Sequence, residues 1–189
     1  MYKGMLRGLS TAVLPLLFAS VVEAQIFTPT FTSPRLLNEM GIYLSDGPGD
    51  LAVEGIWRGG PLGLRVGYVD LAGGALTVGA EIRSPLPITG APLGLALTAG
   101  AQGLLGDVDF VGFQGGLTAG YTFMMPGMAI TPYMHPRIGM VKGRGDDWDL
   151  EVMADIGSDF EFSNNIVLRL GIVLSDIGSD WGVGVAWRR

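Results

Sequence analysis

The 189-residue chain has no cysteine and a single histidine, His135. Without cysteine there is no disulfide, no thiolate metal site and no lipid-bearing cysteine at a processed amino terminus. Charged residues make up only 16% of the chain, and the formal charge of −6 comes with no basic cluster that would hold nucleic acid. No apolar run reaches the roughly 20 residues that a membrane-crossing helix needs. Helical periodicity is nowhere sustained, no phosphate-binding glycine motif occurs, and no loop has the ligand spacing of an EF-hand. What remains is 48% apolar residues, 31 glycines and a positive mean hydropathy, a mix too apolar and too glycine-rich for an average soluble domain. The length suits one domain.

Lys3 and Arg7 precede an apolar stretch from Leu9 to Val22, which is followed by "VEA". Charge, then apolar residues, then small residues is the order of a signal peptide, and it predicts export with cleavage between Ala24 and Gln25. The stretch is too short for a membrane anchor. Residues 1–24 are therefore assigned to the signal peptide, 25–37 to a Thr/Pro-rich lead that contains "QIFTPTFTSPR", and 38–189 to the body of the protein.

In the body, segments of period two alternate with Gly, Pro, Asp and Asn, the pattern of strands joined by tight connections. Ten such segments lie near 38–45, 51–58, 62–70, 76–83, 93–103, 111–123, 128–141, 149–162, 166–175 and 181–188. In "IVLRLGIVLS", Ile166, Leu168, Leu170, Ile172 and Leu174 share one face, and Val167, Arg169, Gly171, Val173 and Ser175 share the other. Trp57, Tyr68, Phe113, Tyr121, Phe123, Trp148, Phe160, Phe162, Trp181 and Trp187 have the parity of the aliphatic face and sit near segment ends; Tyr43, Phe110 and Tyr133 break that parity. Aliphatic residues at mid-strand with aromatic rims match the girdles of a transmembrane barrel.

The other face holds Glu54, Arg65, Glu81, Arg83, His135, Arg137, Glu151, Asp155, Asp159, Glu161 and Arg169. Charges of both signs cannot face lipid, and only a closed barrel leaves no unpaired strand edge in a membrane. The pattern predicts an all-β fold: a single antiparallel up-and-down transmembrane β-barrel of about ten strands, or alternatively eight, with these residues as a lumen charge network. An even strand count predicts both ends of the mature chain on the periplasmic side.

With "ITPYMHPRIG" at 130–139 and the close "WGVGVAWRR", the chain resembles the small outer-membrane β-barrel proteins of Gram-negative-type bacteria, a broad family that includes the outer membrane protein A-like transmembrane barrel. The resemblance implies outer-membrane lipid and the barrel-assembly machinery as partners, and no cofactor. Some such barrels are hydrolases or acyltransferases that use a histidine, which makes His135 the residue on which that possibility rests.

Several features need local explanations. Glu151, Asp155, Asp159 and Glu161 form one acidic stripe that needs cations beside it. A three-residue "SNN" hairpin would set Asp159 opposite Arg169, with Arg137 near Glu151. Inward Gly63, Gly67, Gly79, Gly94, Gly116 and Gly120 would leave local space. Pro132 and Pro136 within one segment imply a bulge or bend. The acidic pairs Asp46 with Asp50, Asp107 with Asp109 and Asp146 with Asp147 are read as turn residues rather than a metal site. "DIGSD" occurs twice, as strand at 155–159 and as a turn around Gly178 at 176–180. The functional expectation is a structural or narrow-pore, porin-like envelope barrel without enzymatic activity. The alternatives are a soluble exported lipocalin-like barrel that binds an apolar ligand, with the two faces inverted, and a hydrolase using His135.

Overall fold

The computed structural model describes residues 27–47, 49, 51–71, 73–88, 93–107, 109–175 and 179–189. The signal peptide with its cleavage point at Ala24 and Gln25, Asp50 of one acidic pair, and the 176–178 part of the second "DIGSD" lie outside these residues.

Among the described residues all regular structure is strand. In chain order the strands are β1 (Glu39–Ser45), β2 (Ala52–Gly59), β3 (Leu62–Val69), β4 (Ala75–Leu86), β5 (Leu93–Gly106), β6 (Phe110–Tyr121), β7 (Phe123–Met125), β8 (Met128–Gly143), β9 (Asp149–Phe162), β10 (Ile166–Ser175) and β11 (Ser179–Arg188). Sequential neighbours other than β6 and β7 pair antiparallel, β1 also pairs with β11, and β6 pairs with β8. The result is a closed antiparallel ten-strand barrel, with the three-residue β7 as an extra piece paired to β8 alone. The segment expected at 111–123 thus divides at Thr122 into β6 and β7.

The connection at 163–165 is the three-residue hairpin, with Asn165 at φ 66°, a left-handed conformation that asparagine tolerates. It fixes Arg169 opposite Asp159. No bulge occurs at the prolines: β8 pairs with β9 in one unbroken register, including Pro132 with Ser158 and Pro136 with Ala154. On the other side β8 keeps a single register with β6 but skips the two positions of Leu117 and Thr118. A proline has no N–H to give a ladder, so Pro136 interrupts the pairing without inserting a residue.

Alternation decides what faces where. Aliphatic side chains such as Ile42, Ile82, Ile138 and Leu170 point outward and are exposed, whereas Glu54, Arg58, Arg137, Asp155, Asp159 and Arg169 point inward and are buried. Tyr43 and Tyr133, which break the aromatic parity, are buried on the inward side. Tyr68, Phe113, Trp148 and Trp181 lie toward the end that carries the connections 46–51, 70–74, 107–109, 144–148 and 176–178. Trp57, Tyr121, Phe123, Phe160, Phe162 and Trp187 lie toward the opposite end, where β1 starts and β11 finishes. Phe113 packs on Trp148 and Tyr121 on Phe123, with ring centroids 5.9 and 4.5 Å apart.

Candidate functional site

The inside of the barrel is where polar chemistry concentrates, and its size follows from the strand count. Ten strands about 4.8 Å apart and tilted about 40° close into a cylinder of radius about 10 Å. That radius is the distance at which two β-layers pack face to face, about 10 Å. An extended chain on the axis of a ten-strand barrel therefore stands at packing distance from the wall on every side.

Such a chain is present, interrupted by one left-handed residue, Phe31 at φ 51°. Residues 27–34 of the lead, "FTPTFTSP", are all buried within the barrel. Phe27 sits among Ala52, Val69, Ala75, Leu104, Val141, Met153 and Val173, wall residues near the end that carries the connections 46–51 and 144–148. Phe31 packs with Tyr43, Ile56, Val167 and Ala186, its ring centroid 4.7 Å from that of Tyr43. Pro34 lies beside Gly94 and Gly120 near the other end, and Arg35 pairs with Glu161 there. The segment thus runs the length of the lumen before the chain turns back into β1. The ends of β1 and β11 that flank the barrel body do share one side, but Phe27 is at the far side. The strand count alone puts both ends of the mature chain on one side, whereas the lead crosses the barrel and sets Phe27 at the other: alternation in the strands carries no information about what occupies the axis.

The wall reads this segment at every second residue. Thr28 donates its hydroxyl to Glu54 Oε2 at 2.9 Å, Thr30 to Asp155 Oδ2 at 2.6 Å and Thr32 to Glu81 Oε2 at 3.0 Å. The carbonyls at the same positions accept from Arg137 Nη2 at 3.4 Å, Arg58 Nη2 at 2.8 Å and Thr118 Oγ1 at 2.7 Å. Arg83 Nη1 donates to the carbonyls of Ser33 and Arg35 at 3.2 and 3.1 Å. Arg65 Nη1 donates to Thr28 Oγ1 at 2.6 Å.

Around the segment the wall is paired with itself. Arg169 donates from Nε to Asp159 Oδ1 at 3.0 Å, from Nη2 to Glu39 Oε2 at 2.9 Å and from Nη1 to the Tyr43 hydroxyl at 2.6 Å. Arg58 bridges Glu39 and Glu81, at 3.1 and 3.0 Å. Arg65 meets Glu54 at 3.4 Å, and Arg188 meets Glu161 at 2.9 Å. Burying a charge is costly unless it is paired and hydrogen-bonded, and these groups are. Arg137, expected near Glu151, donates to Asp155 Oδ1 at 3.0 Å and to Gln114. The register sets Arg137 opposite Met153, with Glu151 and Asp155 two residues away on either side, and the guanidinium leans toward Asp155.

His135 is a junction in this network. Its Nδ1 lies 3.0 Å from both Asp155 Oδ2 and Thr30 Oγ1, and its Nε2 lies 2.7 Å from Thr98 Oγ1. Both ring nitrogens are engaged, one by wall and lead together and the other by the wall. Among the described residues no cluster of three or more His, Cys, Asp or Glu is placed to hold a metal.

The glycines expected to leave space are occupied in part. A Cβ at Gly63 would meet Glu81, one at Gly67 would meet Glu54, and one at Gly79 would meet Arg65, each at under 3 Å. Long charged side chains lie across these glycines. Likewise, a Cβ at Gly139 would stand 2.5 Å from the Phe27 ring, and one at Gly182 would stand 2.5 Å from the Phe31 ring. Glu39 and Arg58 belong to the network but are absent from the sequence-based set. Arg58 was within reach, because it shares the parity of Glu54; Glu39 has the parity of Tyr43, which reads as an exception until β1 is seen to turn that side inward.

No family model and no curated protein matches the chain. Four solved chains match, and one of them is OmpT, an outer membrane protein of Vibrio cholerae, folded in vitro and in trimer form. It aligns with a TM-score of 0.37 and 8% identity over 74% of this chain and 55% of that one, so the chain spans about half the length of that protein. At that score the likeness carries no argument about this chain. The described residues themselves form a closed barrel of ten antiparallel strands, aliphatic outside with aromatic rims and charged within.

Proposed function

We propose that the protein is an integral component of the bacterial outer membrane that serves as a closed, structural barrel, with outer-membrane lipid around it and the barrel-assembly machinery as its partner during biogenesis. One observation carries this reading: the lumen is filled by a paired Arg/Glu/Asp network together with residues 27–34, while the outward face offers aliphatic side chains to lipid. A soluble barrel that holds an apolar ligand needs the reverse arrangement, with aliphatic side chains inside. The narrow-pore variant needs a continuous water path, and the lead lies along the axis where such a path would run. A hydrolase through His135 needs a ring nitrogen open to substrate, and both are engaged by neighbours.

The test is fractionation followed by gels of boiled and unboiled samples, together with conductance in planar bilayers. The expected result is a heat-dependent mobility shift in the outer-membrane fraction and no steady ion current from the intact protein. Recovery from the soluble periplasm would sink the membrane assignment, and a steady current would sink the closed-barrel role.

A further inference from the structure

We infer that the lumen is a binding site for an extended peptide, that residues 27–35 are the ligand it holds in the resting protein, and that without this ligand the barrel is an open pore. The proposal rests on the membrane-barrel reading above.

The site has the features of a built peptide receptor. Three carboxylates on three different strands, Glu54 on β2, Glu81 on β4 and Asp155 on β9, each take the hydroxyl of one threonine at a two-residue spacing. Donors from β2, β6 and β8 take the carbonyls of those same threonines, so side chain and backbone are read at each step. The phenyl rings of Phe27 and Phe31 lie on Gly139 and Gly182, where any larger residue would displace them. The ligand is suited to the role. "FTPTFTSP" carries no charge, and its two prolines fix φ and bias Thr28 and Ser33 toward extended backbone, lowering the entropy lost on binding.

The wall does not depend on the segment for charge balance. Among the described residues the lumen ion pairs of Arg58 with Glu39, Arg65 with Glu54, Arg137 with Asp155 and Arg169 with Asp159 each join two wall residues, whereas Arg35 at the rim reaches from the segment to a wall carboxylate. Withdrawing residues 27–34 breaks no ion pair. It leaves threonine-binding carboxylates and carbonyl-binding guanidiniums facing an axis about 10 Å from the backbone, a radius that such polar groups would fill with water.

The experiment places a protease site in the connection 36–38, so that the barrel folds with its lead in place and is cut afterwards. After cutting, single-channel steps should appear in planar bilayers where the uncut protein shows background. A synthetic peptide of residues 27–35 should then abolish the steps in a concentration-dependent way, while the same peptide with valine at Thr28, Thr30 and Thr32 should not. A second protein that starts at residue 36 should conduct without protease. Heat-dependent mobility is read on every sample. If the cut protein keeps its mobility shift and stays closed, or if the valine peptide blocks equally well, the peptide-site proposal is overturned. A missing mobility shift, or current from the uncut protein, counts instead against the closed membrane barrel beneath it.

Discussion

Thr30 and His135, 105 positions apart, meet on one oxygen of Asp155: Thr30 Oγ1 lies 2.6 Å from Oδ2 and His135 Nδ1 lies 3.0 Å from it. The lead and the wall therefore share a buried acceptor. Replacing Thr30 with valine keeps the shape and removes the hydroxyl, leaving Asp155 with one donor fewer. Stability should fall by about 1–3 kcal/mol, the range for a hydrogen bond to a buried charged group. The midpoint of urea unfolding in detergent or vesicles measures this, and Thr30→Ser should recover most of it. A Thr30→Val midpoint equal to the parent's would show that the contact contributes nothing.

Arg169 holds Glu39, Asp159 and Tyr43 together from one buried guanidinium. Truncating it to methionine takes the paired cation from Asp159 and leaves Glu39 with Arg58 alone, a loss of about 3–5 kcal/mol for breaking a buried pair. Lysine keeps the charge but has no planar fork to reach both carboxylates and the phenol, so Arg169→Lys should stay close to Arg169→Met rather than to the parent. The yield of refolded, heat-shifting protein and its urea midpoint provide the comparison.

A Cβ on Gly182 would stand 2.5 Å from the Phe31 ring. Gly182→Ala should therefore destabilise by forcing that ring out of place, and Phe31→Leu in the same chain should recover part of the loss. The coupling energy expected for residues in contact is about 0.5–3 kcal/mol, measured by a double-mutant cycle on unfolding midpoints. Strictly additive effects would remove the ring from that seat.

Leu170 points outward near the middle of β10, half exposed at 45%. On a lipid-facing strand near the midplane, Leu170→Arg should cost about 2–4 kcal/mol. The same change on the water-facing side of a soluble barrel would be close to neutral. Tryptophan fluorescence of vesicle-folded protein against urea distinguishes the two, and a neutral result would count against a lipid-facing wall.

The wall was largely legible in the sequence because alternation has a period of two and needs no tertiary knowledge. "IVLRLGIVLS" sorts itself into Leu170 outside and Arg169 inside from spacing alone, and β10 follows it. The hairpin at 163–165 was legible for the same reason, since its length sets the register that brings Asp159 to Arg169. The contents of the lumen were not legible. "FTPTFTSP" pairs in no ladder, its composition reads only as a Thr/Pro-rich lead, and its burial depends on a radius that exists only once ten strands have closed. Phe31 also adopts φ 51°, a left-handed conformation that costs a non-glycine residue about 1–2 kcal/mol, which no local preference would suggest. The partner of Arg137 escaped for a smaller reason: two carboxylates stand at equal offsets from it, and spacing cannot choose between them.

The pairing of β1 with β11 joins strands from opposite ends of the chain, with Glu39 facing Arg188. Among the ladders it encloses the longest loop, and so carries the largest closure entropy. Phe31 touches Tyr43 on one of these two strands and lies over Gly182 on the other. Its ring therefore contributes contacts that exist only when the last gap in the cylinder has zipped, so occupancy of the axis and completion of the wall favour each other as one cooperative step of assembly.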